Sequence, residues 1–71
     1  GPPKFRVNPG VRLAIAKINL PQNELARRCG ITSGYMSQLL SGARLAGPQT
    51  RRRLLASLST LDFDQLFEEV E

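Results

Sequence analysis

Cations supply most of the chemistry this sequence could perform. Lys4, Arg6, Arg12, Lys17, Arg27, Arg28, Arg44, Arg51, Arg52 and Arg53 all fall within residues 1–53, where Glu24 is the only anion, a balance of +9. Residues 54–71 carry Asp62, Asp64, Glu68, Glu69 and Glu71 and no cation, a balance of −5. A basic body with an acidic end points to a polyanion bound on one side. Eight of the ten cations are Arg, whose planar fork matches phosphate and guanine edges. Scattered surface charge is the plainer alternative. A membrane surface would also attract cations, but it calls for one basic helix with a bulky apolar face. Here the basic positions are spread over several segments.

Covalent chemistry has little to work with. There is no His and one Cys, which excludes an intrachain disulfide and an ordinary Cys/His zinc site and removes the commonest general base. Cys29 stands four residues after Leu25 on an apolar face, the place of a core thiol. Asp62 and Asp64, two residues apart on a helix, point in different directions, and capping explains them. Phe63 and Phe67 suit a core or an interface better than a platform for stacked bases. No Gly-rich phosphate loop and no metal-ligand spacing is present. The expectation is a protein that is not an enzyme, with no cofactor, no metal and no catalytic residue.

Length and composition agree. The chain has 71 residues, 41% apolar and 23% charged, which is the composition of one globular domain rather than of a disordered segment. A chain this short buries only about 60% of its unfolded surface and leaves no room for a spacious cleft. The longest apolar run, Leu13–Ala16, falls far short of the roughly 20 residues that span a bilayer. Neither a membrane partner nor a signal peptide is expected, and the expected location is cytoplasmic. The Gly1-Pro2 start reads as the scar of a cleavage site, so that targeting signals on a longer parent would not be visible.

The elements that position these side chains read as helices, since no stretch alternates strictly as a strand does. Asn8-Pro9-Gly10 opens a first helix over 9–18, with Val11, Ala14, Ile15 and Ile18 as one apolar stripe. A second covers 22–29, with Leu25, Ala26 and Cys29 on one face. Gly30 ends it with a left-handed cap, and Ile31 makes the accompanying apolar contact. Thr32 or Ser33 caps a third over 33–41, with Met36, Leu39 and Leu40 inward and Ser33, Gly34, Ser37 and Gln38 outward. A loop from Ala43 to Gly47 follows. Pro48 starts a fourth helix over 48–59, with Leu54, Leu55 and Leu58 inward. Arg51, Arg52 and Arg53 in its first turns oppose the helix dipole, which suggests an outside partner that offsets the cost. A fifth helix over 62–69 carries Phe63, Leu66, Phe67 and Val70 at helical spacing. The fold class is therefore all-α with five helices. Residues 1–7 form a flexible basic arm and 8–71 the domain.

Gln22, Leu25, Ala26, Gly30, Ile31, Met36, Ser37, Leu39 and Gly42 follow in the order and spacing of the phage lambda-type repressor and Cro (XRE-like) family, which this chain resembles. The flanking helices also sit where the five-helix version has them, so the resemblance spans nearly the whole chain. It implies a helix-turn-helix with the third helix in the major groove of duplex DNA. The family's base-reading positions fall on Ser33, Gly34 and Gln38. Its phosphate-contacting positions fall on Gln22, Tyr35, Ser41, Arg44 and Gln49, and the cations Arg51 and Arg52 join them. Gln38 is the best base reader, because an amide donates and accepts together at adenine. Three departures stand out. Pro21 replaces a side-chain N-cap, Gly34 offers no side chain to a base, and Ile15 and Leu40 stand where some members pair an Arg with a Glu.

The expected function is sequence-specific binding of double-stranded DNA by the DNA-binding domain of a prokaryotic or phage transcriptional regulator. A homodimer through the C-terminal helix is the expected assembly. Two alternatives remain. One is the DNA-binding antitoxin of a toxin–antitoxin pair, whose acidic last helix would meet a toxin. The other is a helix-turn-helix protein-interaction module that does not bind DNA.

Overall fold

Apolar side chains at helical spacing build the middle of the chain, and its two ends pair as strands. The computed structural model describes residues 1–71, in the order β1 (Lys4–Val7), α1 (Val11–Lys17), α2 (Gln22–Cys29), α3 (Ser33–Leu40), α4 (Pro48–Ser57), α5 (Phe63–Leu66) and β2 (Phe67–Val70). The domain is helical but not all-α. None of its helices is long and apolar enough to cross a membrane.

Both departures from the expected architecture concern the chain ends. β1 and β2 pair antiparallel, with Val7 opposite Phe67 and Arg6 opposite Glu68. Residues 4–7 are thus a strand rather than a flexible arm, and the domain begins before residue 8. Val7 is 2% exposed, the Phe5 carbonyl accepts from the Ala46 N–H at 2.8 Å, and the Phe5 ring meets Phe63 edge-on at 4.9 Å. The fifth helix is one turn long. Asp62 opens it with a reciprocal capping box, its Oδ1 accepting from Gln65 N while Gln65 Oε1 accepts from Asp62 N, both at 2.9 Å. At Phe67 the backbone is extended, with φ −130° and ψ 152°. An extended 67–70 pairs with β1 and seals Val7 and Phe67 against the core, which a helix carried on to residue 69 would not do.

The helix boundaries follow from local hydrogen bonding. Asn8 is drawn into the sheet, donating its N–H to the Leu66 carbonyl at 2.7 Å, while its Oδ1 accepts from Gly10 N at 3.0 Å. α1 therefore starts at Val11 rather than at Pro9. It ends in a Schellman arrangement: Leu20 N donates to Ile15 O at 2.9 Å and Asn19 N to Ala16 O at 3.0 Å, with Asn19 in the left-handed region at φ 54°. That turn buries Leu20 and leaves Ile18 57% exposed, so Ile18 is not part of the buried stripe. α2 closes in the same way at Gly30, φ 69°, where Ile31 N donates to Ala26 O, and Ile31 packs on the core. Pro48 opens α4 as expected, but Leu58 leaves helical geometry and the helix stops at Ser57.

Every helix and both strands feed one core of 15 buried residues, all apolar, and the connections add Leu20, Ala46 and Leu58 to it. Leu25, Met36, Leu39, Leu54 and Leu66 lie at its centre with almost no exposure. Ile15 and Leu40 are both inside it.

Candidate functional site

α3 is the element whose outer face is polar and open. Thr32 Oγ1 accepts from Tyr35 N at 3.0 Å and caps its first turn, while Met36, Leu39 and Leu40 anchor the opposite face in the core. Ser33, Gly34 and Gln38 are exposed, and Tyr35 is half-buried. A Cβ at Gly34 would meet nothing within 4 Å, so the first turn of this face includes open bare backbone. α2 packs against α3 through the turn at Gly30–Thr32. Gln22, the first residue of α2, donates from Nε2 to the Ser33 carbonyl at 3.1 Å and to Ser33 Oγ at 3.4 Å. The starts of the two helices are thereby tied. Pro21 precedes α2 with no side-chain cap.

The end of α3 is held to the loop that follows. The Gln38 carbonyl accepts from Ser41 Oγ at 3.1 Å and from Arg44 N at 3.2 Å. Gly42 takes the left-handed conformation, φ 81°, that turns the chain back. The loop then delivers the Arg44 guanidinium to two side chains of α3. Its Nε donates to Gln38 Oε1 at 3.1 Å, and its Cζ lies 5.7 Å from the centre of the Tyr35 ring, over its face. Tyr35, Gln38, Ser41 and Arg44 thus form one assembly on the surface. Their coupling was not legible in the sequence, where each stood as a separate contact. The Ser41-Gly42 pair was the one available signal that the chain doubles back over the last turn of α3.

The arginine run of α4 divides three ways. Arg51 is half-buried, donates from Nη1 to the Ala46 carbonyl at 2.6 Å and lies 5.0 Å over the Phe5 ring. Arg53 donates from Nη1 to the Cys29 carbonyl at 3.3 Å. The side chains of Arg52 and Gln49 are exposed and make no hydrogen bond within the protein. Two of the three arginines that oppose the α4 dipole therefore have internal partners. Arg51, expected as a phosphate contact, also holds a carbonyl and packs on a ring inside the protein. Arg53 meets the negative end of α2, where a cation is favoured. Of the three, only the Arg52 side chain is left without an internal partner.

Charge pairing trims the basic body further. Glu24 takes both Arg27, Nε to Oε1 at 2.9 Å, and Arg28, Nε to Oε2 at 3.3 Å. The hydrogen bonds from Arg27 above all hold the Glu24 carboxyl at about 2, well below the usual carboxylate range, and the Arg27 guanidinium is pushed up in turn. Arg6 pairs with Glu68 at 2.6 Å across the sheet, beside Ser41 and Gly42. The acidic end is thus folded back against the site rather than held away from it. Lys4, Arg12, Lys17, Arg44, Arg51, Arg52 and Arg53 keep charge that no carboxylate matches.

Cys29 is buried, its thiol 3.5 Å from Ser57 Oγ, as its place on the apolar face of α2 predicts. The expected stripe for a C-terminal helix contact is dismantled: Leu66 and Phe67 are buried in the monomer, Phe63 packs between Phe5 and Phe67, and Val70 lies in β2 opposite Lys4. No family model, curated protein or solved structure matches this chain.

Proposed function

We propose that this chain binds double-stranded DNA sequence-specifically, as the DNA-binding domain of a prokaryotic or phage transcriptional regulator, with α2 and α3 as its helix-turn-helix. The observation that carries this reading is the outer face of α3. Eight residues make a helix about 12 Å long, and the major groove is about 12 Å wide. That face is exposed and uncharged, with short side chains at Ser33 and Gly34 and one amide reader at Gln38. An arginine with no carboxylate partner stands at its end. Bare backbone at Gly34 lets base edges come close. Phosphates are met by Arg44 and Arg52, by Gln22 and Ser41 at the ends of the motif, and by Gln49 at the start of α4. With so few base readers, DNA shape supplies part of the selectivity.

The test is a titration of duplex DNA against salt. Binding weakens steeply as salt rises, because each neutralised phosphate releases counterions. Arg52→Ala lowers the slope of log affinity against log salt by about 1 and leaves thermal stability unchanged. Arg51→Ala lowers stability instead. Absence of binding to any duplex at low salt rejects the proposal.

A protein-interaction module is the second reading. It is favoured by Leu13 and Ile18 of α1, which stand 61% and 57% exposed, and it predicts that no duplex binds.

A further inference from the structure

We infer that Gln38 and Arg44 act as one donor-only unit that reads guanine rather than adenine. The inference rests on the DNA-binding reading above and names the base it selects. Arg carries donors and no acceptor, so the Gln38 atom facing Arg44 Nε at 3.1 Å is the amide oxygen. The amide nitrogen, with its two N–H groups, is then the atom turned away from Arg44. An adenine read by Gln needs both ends of the amide, the oxygen accepting from N6 and the nitrogen donating to N7. Here the oxygen already holds a cation, and a second donor brought to it meets positive potential. Guanine presents O6 and N7, both acceptors, and meets only donors.

The pair is built rather than incidental. Ser41 Oγ and Arg44 N both bond the Gln38 carbonyl, which fixes where the loop leaves α3. The positive φ of Gly42 turns it, and the Tyr35 ring lies under the guanidinium. The amide orientation is therefore set before DNA arrives. Arg44 is a positioning residue for Gln38 in this role, besides any phosphate it meets.

Selection of preferred sites from random duplex DNA by the 71-residue chain tests this. The wild type selects guanine over adenine at one position of the half-site by roughly fivefold or more. Arg44→Ala, with helical content unchanged, frees the amide oxygen and moves the preference at that position toward adenine. Adding Gln38→Lys to Arg44→Ala returns it to guanine, because Lys again offers donors only. Gln38→Ala abolishes the preference there. Adenine chosen by the wild type at the position that Gln38→Ala relaxes overturns the inference without any appeal to Arg44. So does an Arg44→Ala protein that binds every sequence more weakly with the same base choice, which makes Arg44 a phosphate contact only. Failure of all variants and the wild type to bind any duplex overturns the DNA-binding reading itself.

Discussion

Arg53 of α4 donates from Nη1 to the carbonyl of Cys29 at 3.3 Å, so an arginine that opposes the dipole of its own helix closes the end of another. α2 terminates at Cys29, and Gly30 beyond it holds the left-handed cap. The carbonyl at that end carries part of the negative pole of α2. Arg53→Ala is expected to destabilise the domain by about 1 kcal/mol, measured as a shift in the urea midpoint at constant slope. Arg52→Ala, one residue away with no partner, serves as the control and should leave the midpoint in place.

Strand β1 makes a second measurable difference. A mobile arm could be shortened at no cost, whereas Val7 is buried opposite Phe67. Val7→Ala should cost about 2 kcal/mol, from lost apolar transfer and the space left behind. Removal of residues 1–7 should cost more, since Phe5 and the hydrogen bond from Ala46 go with it. Thermal denaturation of both variants followed by circular dichroism checks this, and an unchanged midpoint for the truncated chain would return the arm to solution.

Acid should weaken the start of the motif. The Glu24 carboxyl is held at about 2 against an ordinary 4.5, chiefly by its hydrogen bond from Arg27. A carboxyl depressed on folding adds stability that is fully present above its unfolded value and is lost as pH falls through its folded one. The loss therefore spans the window from about 4.5 down to about 2. Since Glu24 stands on the surface, the effect is small and screened by salt. Glu24→Gln should flatten that part of the stability–pH curve by lowering the neutral plateau slightly, while the acid end stays in place.

Gly34 separates stability from recognition. A Cβ there meets nothing within 4 Å, and Gly is a poor helix former in a helix of eight residues. Gly34→Ala should stabilise the domain by roughly 0.5–1 kcal/mol. On DNA the same methyl group stands between α3 and the base edges, so affinity should fall while the melting temperature rises. Parallel melting and binding curves on the same preparation check the opposite signs.

Residue patterns were sufficient wherever a structure is closed by near neighbours. Gly30 followed by Ile31 specified the end of α2, because a left-handed residue and its apolar contact lie within one turn of chain. A cap at Thr32 or Ser33, which the structure gives to Thr32, Pro48 as a first helical residue, Cys29 as a core thiol and Asp62 as a cap were legible for the same reason, and so was the exposure of Ser33, Gly34 and Gln38 opposite Met36, Leu39 and Leu40. The pairing of the chain ends was not. Lys4-Phe5-Arg6-Val7 is too short for its polar and apolar residues to define a strand, and Phe67-Glu68-Glu69-Val70 fits a helical stripe as well as a strand. A strand exists only when its partner is in place, and here the partner lies sixty or more residues away. Likewise the fates of Arg51, Arg52 and Arg53 are the same in sequence and different in space. What an arginine does depends on which carbonyl or ring the fold carries to within 3–5 Å of it, and that distance is set by packing between elements, not by spacing within one.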